Sequence, residues 1–342
     1  ERARQENQAR TTHPPAHAEA HPGIDRAARD NARNNFIALT FVLMVGTAAL
    51  PHILARYYTT PSVRAARRSV FWSLFFILLL YVTAPAYAVF AKWEVYSSLV
   101  GSNISTLPHW VASWGKVGLV KVEDINGDGI LQLAELTINS DAILLLVPEL
   151  AGLPYVVSGL VAAGGLAAAL STADGLLLTI SHALSHDLYY KMINPEASTQ
   201  RRLVITKSLL LVVAVVAAWV ASLRPDSILS MVGLAFSIAA AAFFPALVLG
   251  IFWRRANKWG AVAGMIAGMG VTLLYIVRTH PFFGGSMEDA WLNIHPISSG
   301  VFGVPVGFFV IAVVSLLTPQ PGPKVQALVD YVRMPDGGKK RR

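Results

Sequence analysis

Residues 124–135 read DINGDGILQLAE, a spacing that can wrap oxygen donors around one cation. Asp124, Asn126 and Asp128 fall at positions 1, 3 and 5 of a twelve-residue calcium loop. Gly129 takes the sharp-turn position, Ile130 can offer its carbonyl, and Glu135 stands where a bidentate carboxylate closes the shell. The competing use of the same residues is an Asn-Gly and Asp-Gly turn carrying solvated charge. The spacing favours calcium. The upstream residues WVASWGKVGLVKVE make a poor entering helix and no second loop of this kind follows, so a structural clamp is expected rather than a sensor.

A second chemical position lies in the apolar stretch 166–191, LAAALSTADGLLLTISHALSHDLYYK. Asp174 is ionisable in surroundings that penalise charge, and such a group faces a pore, a partner or a polar cavity. Ser171 precedes it by three residues, on the same face of a helix. Ser181, His182 and Ser185 continue that stripe. Asp174 can accept a proton, pair with a basic group or make a structural hydrogen bond. His182 and His186 read as interfacial. A third position is 46–51, GTAALP, in the middle of an apolar run. Proline removes an amide donor and clashes with the preceding turn. Broken backbone at membrane depth survives only where protein or a polar cavity satisfies it, and transporters bind substrate and ions at such breaks. A plain proline kink is the alternative.

The elements that must hold these residues are membrane helices. The chain has 342 residues, 54% hydrophobic and 14% charged, with a mean hydropathy of +0.51. Soluble domains carry about 25% charged residues. Apolar runs of about 20 residues match the bilayer core. Seven such runs are expected near 36–55, 70–90, 155–184, 204–222, 228–251, 260–277 and 298–318. Residues 1–35 read as a flexible polar segment, 36–90 as two spans, and 91–154 as an insert around the loop 124–135, with few apolar residues of its own to bury. Residues 155–318 read as five spans and 319–342 as a basic tail. The stretch 143–154, with Pro148 and Pro154, is expected to form a helical turn before the third span.

If the first span runs inward, the inner segments hold 17 of the 28 basic residues. The positive-inside rule then puts the N-terminal end and the insert outside and the tail in the cytoplasm of a multi-pass cell (inner) membrane protein. The same distribution accounts for the net charge of +8 without nucleic acid. Cysteine is absent, which excludes disulfides and thiolate metal sites. No nucleophile arrangement or nucleotide loop is visible, so no enzyme is expected. The first residue is Glu1, and the chain reads as a fragment whose upstream part is missing.

Two segments carry a family resemblance. Residues 250–270, GIFWRRANKWGAVAGMIAGMG, combine a helix end, Arg255, Gly260-Ala261, Gly264 and Gly268. They resemble the C-terminal signature of the sodium:solute symporter family; physically, the four-residue glycine spacing allows close helix packing. Residues 166–191 resemble the family's eighth core helix. That resemblance implies a sodium site made by Ser171, Thr172 and the backbone carbonyl of Ala168, oxygen ligands suited to a hard cation. Without it, the two hydroxyls would read as back-bonded to the preceding turn. Residues 46–68 resemble the sixth core helix and its basic exit.

The implied fold is all-α and leucine-transporter-like: the second half of a five-plus-five inverted repeat plus peripheral helices, with the first repeat missing. The implied activity is sodium- or proton-coupled symport of a small monocarboxylate such as acetate, in the cation/acetate branch. Gly46, Thr47 and Pro51 are the substrate candidates, with Pro51 as the first residue of a half-helix. Asp174 is the coupling candidate. The implied partners are the substrate, the bilayer and the absent repeat. The alternatives are a calcium-binding membrane scaffold or sensor without transport, or an inactive remnant of a symporter.

Overall fold

The computed structural model describes residues 21–57 and 59–333. Seven of its helices are long and apolar enough to cross a membrane, as the apolar runs predict. Their ends differ from the expected ones. The first helix, α1 (Arg26–Ala49), starts well before residue 36 because Asp25 caps it, accepting the Ala28 amide at 2.7 Å. Residues 26–35 are therefore helical and not part of a flexible segment, while residues 1–20 lie outside the described residues. Apolar runs report bilayer thickness, whereas capping and propensity set where a helix begins. Likewise α3 (Val63–Ser98) overruns its expected span at both ends.

The chain divides into two compact units, each described by itself. The first contains residues 68–174. It holds most of α3 and then a folded insert: α4 (His109–Lys116), strands β1 (Val120–Val122) and β2 (Leu136–Ile138), and α5 (Ile143–Leu150). The strands pair antiparallel, with Lys121 opposite Thr137. Val95, Leu99, Val111, Val120, Leu131 and Leu146 form a buried core. The expectation that the insert has little to bury is corrected here. Its core residues come from segments well separated along the sequence. Trp114 adds a hydrogen bond from Nε1 to Glu149 at 2.9 Å.

The second unit contains residues 19–67 and 175–342. Its helices are α1, α2 (Pro51–Tyr57), the end of α6 (Tyr155–His182), α7 (Thr199–Ser222), α8 (Ile228–Phe252), α9 (Lys258–Thr279), α10 (Gly300–Leu317) and α11 (Pro323–Val332). The polypeptide leaves α6 through a π-helical run, Ala183–Ile193. Helices α1, α8, α9 and α10 pack on one another around Val45, Ala240, Ala241 and Val304.

Glycine makes that packing possible. A Cβ on Gly268 would stand 2.5 Å from the Ala241 carbonyl and 3.0 Å from that of Gly303. On Gly264 and Gly260 it would stand 2.9 Å from the carbonyls of Gly307 and Ile311. The four-residue glycine spacing thus lets the α9 and α10 backbones approach closely.

Candidate functional site

The break in the apolar run at 46–51 falls at one residue. Helix α1 ends at Ala49, and Leu50 is extended, with φ −65° and ψ 119°. Helix α2 begins at Pro51, whose missing amide hydrogen costs nothing at a first helical position. The Leu50 carbonyl accepts the Ile53 and Leu54 amides, both at 3.1 Å, and so starts the new helix. Only seven residues follow, which is short for an argument from helix-end charge.

The substrate candidates differ in circumstance. Gly46 is buried, and a Cβ there would stand 2.7 Å from the Phe236 carbonyl of α8, so packing already accounts for this glycine. Thr47 is exposed and donates its hydroxyl to the Leu43 carbonyl at 2.7 Å, which leaves its lone pairs available. Pro51 marks the break.

The sodium candidates lie on α6. The Thr172 hydroxyl is 3.2 Å from the Ala168 carbonyl oxygen. Back-bonding gives this geometry in many membrane helices. It also serves a cation, since two oxygens that far apart can both touch an ion at the about 2.3–2.6 Å a hard cation of calcium's size keeps. Ser171 is exposed and its hydroxyl has no partner among the described residues. Asp174 is exposed too. Further along, Ser181 and Ser185 are buried, and Ser185 accepts from the Thr206 hydroxyl of α7 at 2.8 Å. The stripe therefore becomes structural toward this end of the helix.

Sequence reading missed Arg56. A Cβ on Gly175 would stand 3.1 Å from its guanidinium, so the Arg56 side chain reaches α6. A glycine inside a helix, immediately after Asp174, was the available signal of close approach.

The loop 124–135 closes on its own amides. Asp124 accepts from Gly127 at 2.7 Å and from Gly129 at 3.0 Å. Asp128 accepts from Ile130 at 2.7 Å, the main reason its carboxyl sits below the usual range. Glu135 is 2% exposed; Oε1 accepts from Ile125 at 2.9 Å and Oε2 from Gln132 at 2.9 Å. Asn126 Nδ2 and Gln132 Nε2 both donate to Asp128 Oδ2. Among the described residues no three His, Asp or Glu side chains assemble where a metal could be held. In this arrangement the carboxylates of the loop cap its own amides.

The family marker 250–270 also resolves into contacts. Arg255 Nη2 donates to the Leu316 and Thr318 carbonyls at 3.1 and 3.0 Å. Asn257 caps α9 through the Gly260 amide at 2.9 Å, and its Nδ2 reaches Thr318 at 2.6 Å. Together they clamp the end of α10 to the start of α9. At the opposite end of these helices, Asn35 of α1 accepts the His295 amide at 2.6 Å and donates to the Asn293 carbonyl at 2.8 Å. That clasp holds Leu292 and Asn293, both left-handed, with φ near 55° and 54°. His280 Nε2 meets Asp226 at 3.1 Å, and its Nδ1 accepts the Phe282 amide.

The sequence pattern of the sodium:solute symporter family matches residues 116–268, which include Ala168, Ser171, Thr172 and Asp174 but not 46–51. A protein of Cupriavidus necator named as an uncharacterized symporter is 54% identical over 330 residues, 95% of this chain and 48% of that protein. A monocarboxylic acid transporter of Corynebacterium glutamicum is 27% identical over 294 residues, 84% of this chain and 47% of that protein. The chain spans about half the length of these relatives.

Proposed function

Through residues 116–268 this chain belongs to the sodium:solute symporter family, and from that premise we propose that it forms part of a secondary transporter coupling sodium or proton entry to uptake of a small monocarboxylate such as acetate. The family and the relatives' names are those of transporters rather than enzymes. The observation that carries the substrate class is the likeness to a monocarboxylic acid transporter over 84% of the chain.

Two features of the fold support the reading. Helix α1 is interrupted at Leu50 inside an apolar run, the kind of break at which transporters bind substrate and ions. Thr172 and Ala168 present two oxygens 3.2 Å apart, and the neighbouring Ser171 hydroxyl has no partner among the described residues. In this reading Ser171, Thr172 and the Ala168 carbonyl hold sodium, Thr47 and Pro51 border the substrate path, and Asp174 tunes coupling. The fold is the second half of an inverted repeat whose first half supplies the remaining ligands. The N-terminal end and the insert face outward and the tail inward; a tag in 91–142 reachable from outside intact cells checks this orientation.

Uptake by the full-length protein tests the site. Ser171→Ala and Thr172→Ala should each raise the sodium needed for half-maximal uptake several-fold without lowering protein abundance. Wild-type sodium dependence in both variants removes the ion-site assignment. In the same assay Asp174→Asn should change the cation or pH dependence of uptake; unchanged profiles leave it only a structural hydrogen-bonding role.

A further inference from the structure

At one end of the packed helices, three spans terminate together: α8 ends at Phe252, α9 starts at Lys258 and α10 ends at Leu317. Span ends lie at the boundary between hydrocarbon and water, so this end lies at the headgroup level. Helix α11 begins five residues after Thr318, a distance that an extended chain covers in at most about 18 Å. It therefore stays near the same boundary. Its exposed residues Val325, Leu328 and Tyr331 recur at three-residue spacing and form one apolar stripe.

Beneath α11 is a cavity of about 510 Å³, with Gly250, Ile311, Val325 and Val329 in its wall and Lys258 and Gln320 among its polar lining. The surrounding segments 252–259 and 318–333 carry Arg254, Arg255, Lys258, Lys324 and Arg333 against a single acid, Asp330. Asp330 is already engaged by Arg254 at 2.8 Å and by Arg333 at 2.5 Å. Lys258 meets no carboxylate among the described residues; its ammonium rests over the Trp259 ring, 5.1 Å from the centroid. Arg255 Nη1 is buried without a partner among the described residues.

We propose that this cavity is a binding site for one anionic phospholipid of the adjoining leaflet, with an acyl chain against Ile311, Val325 and Val329 and the phosphate facing Lys258. The apolar wall suits a hydrocarbon chain and excludes a merely ionic ligand. The positive surplus selects an anionic headgroup over a zwitterionic one, since each basic group near such a surface contributes measurably. Trp259 and Tyr331 belong to the aromatic belt that sits at this depth. By covering the cavity, α11 becomes a lipid-held strap across the ends of α9 and α10.

The test uses the full-length protein in nanodiscs of phosphatidylglycerol or phosphatidylcholine with identical acyl chains, followed by native mass spectrometry. The wild type should retain one phosphatidylglycerol and little phosphatidylcholine. Lys258→Gln, a substitution at an exposed side chain, should cut phosphatidylglycerol retention about five-fold, the share of one basic residue near an anionic surface. Val329→Trp should fill the cavity and abolish retention while melting in detergent stays at the wild-type value. Equal retention of both lipids by the wild type overturns the proposal, as does undiminished retention by Lys258→Gln. Protection by inorganic phosphate equal to that by phosphatidylglycerol would mark a free-anion site instead, and retention that falls only when the protein dimerises would mark a second copy as the occupant; either result overturns it.

Discussion

Helices α1, α8, α9 and α10 bury about a third of their most apolar window inside the chain, whereas α3 buries 6% and α6 and α7 bury none. Hydropathy does not explain the contrast: α7 and α10 share a mean value of 2.4. Register does. On α9 and α10, glycines recur where the facing backbone needs room. Helix α7 presents bulky aliphatic residues all round, as a lipid-facing span does. Helix α6 differs from both. It is rich in Gly and Ala, yet a Cβ on Gly159 or Gly164 would meet nothing within 4 Å. Around Gly159 and Gly164 the small residues of α6 meet no neighbour among the described residues, which leaves room for a close-packed helix such as the proposed first repeat would supply.

The sharpest way to break this comparison is to overfill both kinds of helix. Gly268→Leu must displace the Ala241 and Gly303 carbonyls, which cannot rotate away, and should cost at least the about 1–3 kcal/mol typical of overpacking. Little folded protein should survive extraction. Gly164→Val should leave the melting of this chain alone unchanged but destabilise the full-length protein. If it is harmless in both, lipid rather than protein covers α6.

A smaller effect is expected in the insert, which has a core of its own. Glu135→Gln places an amide nitrogen against a buried amide donor, at a cost of about 1–3 kcal/mol for the unsatisfied group. Amide exchange at Ile125 and Gln132 should rise, with the packed helices unaffected. Wild-type melting that rises with calcium would support the calcium loop that the spacing of 124–135 implies.

The smallest effect concerns acid. Burial holds the His295 pKa below its ordinary 6.5, with Asp226 opposing and His280 adding to that shift. Its neutral Nδ1 accepts the Ile297 amide. The folded state therefore prefers the uncharged ring, so this contribution is present above 6.5 and is lost as pH falls from there through the folded value. Melting should drop by less than about 3 °C between pH 7.5 and 5, and His295→Gln should flatten that slope. Asp226, held low chiefly by Ser230, acts only in more acid conditions. A pH-independent wild type would separate the loop that precedes α10 from the stability of the packed helices.

Much of this was legible in the sequence, for reasons that vary by feature. Seven spans follow from apolar length, and the α9–α10 contact from glycine spacing. The interruption near Leu50 follows from Pro51, whose chemistry is local. What escaped depends on partners remote in sequence. Asn35 meets residues 293 and 295, Arg255 meets 316 and 318, and Arg56 meets Gly175; no window of neighbouring residues contains both members of such a pair. The loop 124–135 shows the converse limit. Spacing fixes which oxygens are available, but competing amides decide where those oxygens point.

The π-helical run after α6 bears on how this gene can lose residues. Each residue of an α-helix advances the chain by about 100°, so deleting one from a span swings everything beyond it onto a different face. A π turn carries more residues than an α turn, so it can shed one by tightening. The run Ala183–Ile193, closed by the Asn194 amide on the Tyr189 carbonyl at 2.8 Å, offers that slack between two spans. A single-codon deletion scan should find removals tolerated between His186 and Met192 and lethal to folding between Leu166 and Leu178, making this segment a natural site of length variation in an otherwise length-locked membrane domain.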